Sequence, residues 1–250
     1  MSKPARNFHS IDYDDFRKMA SDPTLTPNER VGFPESYRKD KEQAILADIV
    51  AKTPALSERK KTILDIGCGC SLLPVLLSEH CASHDHELVL VDSKEMLDQL
   101  PRNLKGRSAR MPGKFPAMPE LRKRYAGKAD AIVVYSVIQY PYAEGTASEF
   151  IEAALELLAH GGVLLIGDIP NRSQRARFLQ SPAGIEFHKK LTGTDTLPVI
   201  EPIQPGEMTD QFITDAIARY RPMGYDVFVV PQPPELPFGN RREDLVIRKP

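Results

Sequence analysis

Cysteine is scarce in this chain, neither sign of charge dominates, and no long apolar run interrupts it. The three cysteines, Cys68, Cys70 and Cys81, are too few for a disulfide framework, and two of them share one glycine-containing turn, so reduced thiols are expected. Cys68-x-Cys70 has no second ligand pair and encloses a loop glycine, so no metal is expected there. With 33 basic and 34 acidic residues the formal charge is -1, which removes the overall bias towards polyanions and with it nucleic acid as an expected partner, although a local basic patch is compatible with that balance. No segment has the length and apolarity of a membrane span, and Met1-Ser-Lys-Pro-Ala-Arg-Asn-Phe8 lacks the apolar core of a signal peptide. A cytoplasmic protein is expected. At 250 residues and 41% hydrophobic content the chain can bury a substantial core, as one large α/β domain rather than two small ones.

What is present is concentrated in Thr62-Ile-Leu-Asp-Ile-Gly-Cys-Gly-Cys-Ser-Leu-Leu-Pro74, where an apolar run turns into two glycines and then into a helical pattern. Ile63, Leu64 and Ile66 read as a buried parallel strand, Gly67 and Gly69 permit positive φ and close approach of a ligand, and Leu72 begins a helix. Strand, glycine turn and helix N-terminus together make a ligand cradle. In Gly67-x-Gly69-x-x-Leu72 the third glycine of the dinucleotide fingerprint is missing, while an acid, Asp65, stands two residues before the first. A second apolar run, Glu87-Leu-Val-Leu-Val-Asp92, closes a β-α-β unit and ends in another acid. Asp92 at a strand's carboxyl end can accept two ribose hydroxyls; it can equally, with Ser93, cap the next helix.

The Asp65-x-Gly67-x-Gly69 arrangement resembles motif I of the class I S-adenosylmethionine-dependent methyltransferases, and Asp92 falls where that family carries its ribose-binding acid. The resemblance implies a Rossmann-like α/β fold: a seven-stranded, mostly parallel sheet with helices on both faces and a C-terminal antiparallel hairpin strand. It also implies S-adenosylmethionine as cofactor, with Asp65, Gly67, Cys68 and Gly69 around its methionine part and Ser93 to Met96 flanking its adenine. Gly113-Lys114-Phe115-Pro116 stands where many members place an acid for the adenine amino group; Phe115 offers a packing face to adenine or simply a core aromatic. Two other uses of such a sheet fit less well. A nicotinamide dehydrogenase prefers the glycine that Leu72 replaces, and an aminopropyl transferase wants an acid beside Tyr135 and Ser136. A noncatalytic cofactor-binding module remains an alternative.

Around this core the chain divides into a helical segment through residue 55, a cofactor-binding core over 56–168, an acceptor-side insert over 169–206, and a C-terminal helix and hairpin over 207–250. Ile11 to Met19 and Ala44 to Val50 read as amphipathic helices, and the first segment either covers the cofactor as a lid or packs on the sheet edge. Tyr37 and Lys41 lie about one helical turn apart, so both are expected to face one cleft, with Tyr37 on the cofactor. A weakly marked third strand is expected around Ser108 to Met111. Ala129 to Tyr135 is the fourth strand, with Ser136 at its carboxyl edge, where parallel sheets hold ligands. Tyr-Ser-Val-Ile-Gln follows instead of the Asn/Asp-Pro-Pro-aromatic motif of adenine and amide N-methyltransferases, which argues against those acceptors. Glu149 to Ala159 reads as a helix capped near His160-Gly-Gly162, and Val163 to Asp168 as the fifth strand; Tyr225 to Val230 and Asp244 to Ile247 finish the sheet.

The long connection from Ile169 to Pro205 carries Arg172, Arg175, Arg177 and His188, either as an acceptor pocket or as a solvated face. A hydroxyl acceptor needs a base at the moment of attack. Asp168 and His188 are the candidates for base and helper, and Tyr135 for positioner. Gly167-Asp-Ile-Pro-Asn171 with Arg241-Arg-Glu-Asp-Leu245 resembles methyltransferases associated with bacterial surface-glycan synthesis. The expected acceptor is therefore a small molecule or glycan precursor, with a small-metabolite amine, acid or hydroxyl as the alternative; a homo-oligomer is compatible with the chain.

Overall fold

The computed structural model describes residues 11–250, so the first ten residues of the expected N-terminal lid lie outside it. The N-terminal segment forms α1 (Tyr13–Ser21), α2 (Pro27–Arg30), α3 (Glu35–Arg38) and α4 (Glu42–Lys52). Capping boxes start the first two: Asp12 and Asp15 exchange side-chain and backbone bonds, as do Thr26 and Glu29. Between α3 and α4 the chain breaks at Asp40, which adopts φ 62°. Tyr37 and Lys41 consequently do not share a helix face, contrary to the expectation from their spacing. A single 3-10 turn at Pro54–Ser57 leads into the sheet.

The sheet strands are β1 (Thr62–Ile66), β2 (Glu87–Asp92), β3 (Arg107–Pro112), β4 (Ala129–Tyr135), β5 (Leu158–Pro170), β6 (Asp226–Pro231) and β7 (Arg242–Arg248). Their spatial order is β3-β2-β1-β4-β5-β7-β6, parallel from β3 to β5 and antiparallel where β7 joins β5 and β6. Order reverses at β1, so the carboxyl ends of β1 and β4 flank the crevice in which doubly wound sheets bind ligands. The connecting helices are α5 (Leu73–Ser83), α6 (Lys94–Gln99), α7 (Pro119–Tyr125), α8 (Gln139–Ala143), α9 (Ala147–Leu157), α10 (Arg172–Gln180), α11 (Pro182–Thr192) and α12 (Asp210–Tyr220).

Strand alternation sorts the core into two layers. Leu64, Ile66, Val89, Val91, Ile132 and Val134 face α7, α9 and α12, while Ile63, Leu88, Leu90, Ala131 and Val133 face α4, α5 and α6. Both faces are covered, which is why β1, β2 and β4 read as continuous apolar runs. Among the described residues no helix is long and apolar enough to cross a membrane.

Three boundaries differ from the sequence expectation. Helix α9 stops at Leu157 because β5 begins at Leu158, pairs there with Ala129 and then shifts register. His160 therefore lies in the strand rather than at a helix end, and its Nδ1 is 3.0 Å from the Pro250 carbonyl oxygen. The connection after β5 is largely helical: Asn171 caps α10, Ser181 caps α11, and Gly193 ends α11 in the left-handed region, leaving only the stretch up to Thr209 irregular. The third strand runs Arg107–Pro112, slightly longer than expected.

Candidate active site

At the carboxyl ends of β1, β2 and β4 lies a cavity of about 430 Å³. Its floor is the glycine turn. Gly67 and Gly69 sit at φ 76° and 66°, and a Cβ at Gly67 would stand 2.5 Å from the Val137 side chain. Only glycine meets both conditions. Asp65, Cys68, Asp92, Met96, Gly113, Lys114, Phe115, Tyr135 and Ser136 all line this cavity. Thus most residues singled out in the sequence are brought together.

Two acids occupy the cofactor end. The Asp65 side chain is buried, and no donor among the described residues bonds it. Burial first, and the nearby Asp92 charge second, push its carboxyl up to about 7. Asp92 is less enclosed and accepts from the Gly69 N–H at 2.8 Å and the Ser93 N–H at 2.6 Å. Burial raises it to about 6 against the pull of those two amides. Its place on the glycine turn goes beyond a helix cap, since Ser93 supplies that cap by accepting from Met96 N–H. Ser93 itself is buried behind the wall rather than in it.

The opposite wall comes from elements that precede the sheet. Tyr13, Phe16, Val31, Phe33 and Arg38 face the cavity, and two polar links fasten this segment to α6: Arg17 binds Glu95 through two hydrogen bonds, and Arg30 Nη1 donates to Gln99 at 2.8 Å. Phe115 packs edge-on against Phe150 and also lines the cavity. Lys114 pairs with Glu144.

At the ends of β4 and β5 sits a buried polar chain. Arg38 Nη2 donates to Ser136 Oγ at 2.6 Å, and Ser136 Oγ donates to Asp168 Oδ2 at 2.5 Å. Arg242 Nη1 reaches Asp168 Oδ2 at 2.9 Å and its carbonyl oxygen at 2.8 Å. Asp168 N–H donates to Asp244, which also accepts from Lys52 and from Gln232. Ser136 and Asp168 both hold positive φ, 60° and 61°, on neighbouring strands, and such strain in non-glycine residues concentrates at functional sites.

Besides Ser93, three expected site residues stand elsewhere. Asp168 lies behind Ser136 and does not line the cavity. His188 is on α11, away from the lining. Tyr37 is 47% exposed and meets the Phe238 ring at a tilt, with centroids 4.8 Å apart, outside the cavity, while its neighbour Arg38 lines the cavity instead. Arg38 went unremarked in the sequence: amid Arg, Lys, Asp and Glu it carries no mark of burial, yet it is 5% exposed and lies over the Phe33 ring at 4.0 Å.

The methyltransferase small domain model matches residues 36–180, more than half of the chain. The chain belongs to this family. It is accordingly an S-adenosylmethionine-dependent methyltransferase, and the residues of the cavity fit that cofactor: a glycine turn, and a buried acid with no donor of its own. Solved structures agree in fold. The methyltransferase domain of bacterial CtHen1-C is similar at TM-score 0.54 and 20% identity over 84% of this chain and 98% of that one. The N-methyltransferase NodS of Bradyrhizobium japonicum WM9, in complex with S-adenosylhomocysteine, gives 0.57 and 14% over 95% and 98%. Phosphoethanolamine N-methyltransferase 1 of Haemonchus contortus gives 0.58 and 14% over 95% of this chain and 49% of that one. No curated protein sequence matches the chain.

Proposed function

We propose that this methyltransferase acts on a hydroxyl of a small polar acceptor, a sugar or glycan precursor. The carrying observation is the Ser136–Asp168 pair at the cavity wall, a hydroxyl whose proton already points to a buried carboxylate. S-adenosylmethionine supplies an electrophilic methyl group on a sulfonium. Asp65 and the glycine turn hold its amino acid part, Asp92 its ribose hydroxyls, and Met96 with Phe115 its adenine.

The chain's own work is to orient the acceptor and take its proton. Arg38 fills one lone pair of Ser136 Oγ and Asp168 takes its hydrogen, which leaves one lone pair facing the cavity. An acceptor hydroxyl would donate there, its proton passing to Ser136 while the Ser136 proton passes to Asp168; bound S-adenosylmethionine would supply the methyl group, its carbon–sulfur bond breaking to leave S-adenosylhomocysteine as the neutral thioether. Arg242 and Arg38 fix the carboxylate for this transfer. Asp168 thus retains the role of base expected for it, acting through Ser136; Tyr135 positions the wall beside it. The helices through residue 55 act as the lid, and the segment 169–206 bounds the acceptor side.

The test is Asp168→Asn with an acceptor identified by screening nucleotide sugars, oligosaccharides and small amines against labelled cofactor. Methyl transfer should fall about a hundredfold or more with cofactor affinity intact. Full activity would remove Asp168 from the chemistry, and transfer only to amines would replace the hydroxyl reading.

A further inference from the structure

Outside the lining of the cofactor cavity, beside Arg242, lie two arginines that meet no anion among the described residues. Arg241 is more than half-buried and packs its guanidinium on Phe238 at 4.7 Å and on Phe187 at 5.7 Å. Among the described residues it has no carboxylate within ion-pair distance, nor has Arg175. The nearby acids are engaged elsewhere: Asp168 by Arg242, Asp210 by Arg177 and Asn171, Glu243 by Asn171, and Glu207 by Arg172. Burial, together with the like charges of Arg175 and Arg242, lowers Arg241 below the ordinary arginine range. Leaving such a group unpaired is unfavourable unless something else supplies the charge.

The location matters as much as the charge. Arg242 stacks on the same Phe238 ring at 5.0 Å and also holds Asp168, so the cation group is joined directly to the end of the proton path. Arg175 comes from α10, Phe187 from α11, and Arg241 from the residue before β7; the insert and the C-terminal hairpin meet here. Tyr37 meets the same Phe238 ring at a tilt. Guanidinium forks held on aromatic rings are suited to bind an oxyanion in two-point fashion.

We infer that Arg175 and Arg241 bind an oxyanion carried by the methyl acceptor, a phosphate or a sugar carboxylate, and so hold the acceptor with its hydroxyl at Ser136. This rests on the hydroxyl-acceptor reading above and narrows it to anionic acceptors, such as nucleoside-diphosphate sugars or uronic acids. Tyr37, displaced from the cofactor, becomes part of the rim of this second subsite.

Calorimetric titration of the full chain, saturated with S-adenosylhomocysteine, tests it without any chemistry. Inorganic diphosphate and glucuronate are the probes, with glucose as the uncharged control. One of the two anions should bind and glucose should not; the one that binds identifies phosphate or carboxylate as the partner. Arg175→Gln and Arg241→Gln should each weaken that binding about tenfold or more, as expected for loss of charge-assisted hydrogen bonds, with S-adenosylhomocysteine affinity unchanged. Arg241→Lys, which keeps the charge but not the fork, should fall between wild type and Arg241→Gln. Failure of both anions to bind wild-type protein at millimolar concentration would overturn the inference, as would equal binding by the Gln variants. Displacement of the bound anion by a short single-stranded RNA at far lower concentration would overturn the small-molecule assignment. The hydroxyl reading fails separately: Asp168→Asn that binds the anion normally and methylates at the full rate leaves this subsite standing and removes the proton path alone.

Discussion

Cofactor affinity should climb about a hundredfold between roughly pH 5.5 and roughly pH 7.5, because two buried acids must ionise to receive the ligand. Asp65 titrates near 7 and Asp92 near 6 in the empty cavity, both raised chiefly by desolvation. On the assignment proposed above, the ammonium of the ligand would favour the charged form of Asp65, and ribose hydroxyls would donate to the charged form of Asp92. At the acid end both sites hold protons that binding must expel. Working through the two titrations, Asp65 accounts for roughly 25-fold and Asp92 for roughly fourfold, together about 2.7 kcal/mol. The assay is calorimetric titration with S-adenosylhomocysteine at several pH values in buffers of differing ionisation heat, so that proton release is read alongside affinity. Asp65→Asn should bind more weakly at neutral pH but retain only the fourfold dependence. A flat profile in the wild type, or affinity that falls with rising pH, would refute the assignment of Asp65 as an ionised partner.

Asp92→Ala should weaken cofactor binding by about 1.5–3 kcal/mol, the worth of hydrogen bonds to a charged group, as read by the same titration; unchanged affinity would reject the ribose assignment. Gly67→Val should fail to fold stably or to bind, since it combines a positive φ with a Cβ 2.5 Å from Val137, and a normally binding variant would mean that the turn plays no such part. Lys52→Met should lose about 3–5 kcal/mol in urea unfolding, because it leaves two carboxylates without their common cation. Those are Asp244, 0% exposed, and Asp48, 7% exposed, at 2.7 and 2.6 Å from the Lys52 amine. Without cofactor, the folded protein keeps protons on Asp65 and Asp92 that the unfolded chain has shed, so their contribution to stability declines as pH rises from about 4 and levels off once the folded values of about 6 and 7 are passed; the melting temperature of Asp65→Asn should show less of this decline than the wild type does.

The sequence made the donor side legible and left the acceptor side mostly hidden, for a physical reason. Parallel strands buried on both faces have to be apolar throughout, so Ile63 to Ile66, Leu88 to Val91 and Ala131 to Val134 announced themselves, and the turn between them admits only a few residue types. The polar chain through Arg38, Ser136, Asp168, Arg242 and Asp244 has no such local rule. Its members come from four separate stretches: Ser136 and Asp168 are marked by their places at strand ends, but Arg38, Arg242 and Asp244 look like ordinary surface charges until the tertiary structure buries them. The helical spacing of Tyr37 and Lys41 does not carry across Asp40, whose left-handed backbone separates α3 from α4. At His188, a partly exposed histidine in a charged insert, nothing local distinguishes a catalytic side chain from a solvated one.

The placement of β7 between β5 and β6 bears on how the protein is made. Synthesis proceeds from the N-terminus, and β6 is complete before the strand that must separate it from β5 exists. Until residues 242–248 leave the ribosome, the long strand Leu158–Pro170 presents a bare, apolar edge of the kind that recruits other chains. The nascent protein thus passes through a stage in which its donor-binding half is built and its sheet is open. Escape from that stage comes with the same residues that bring Arg242 to Asp168. Chaperone capture of the nascent chain should therefore persist until residues 242–248 emerge, when one strand closes the sheet and sets Arg242 on Asp168 in one event.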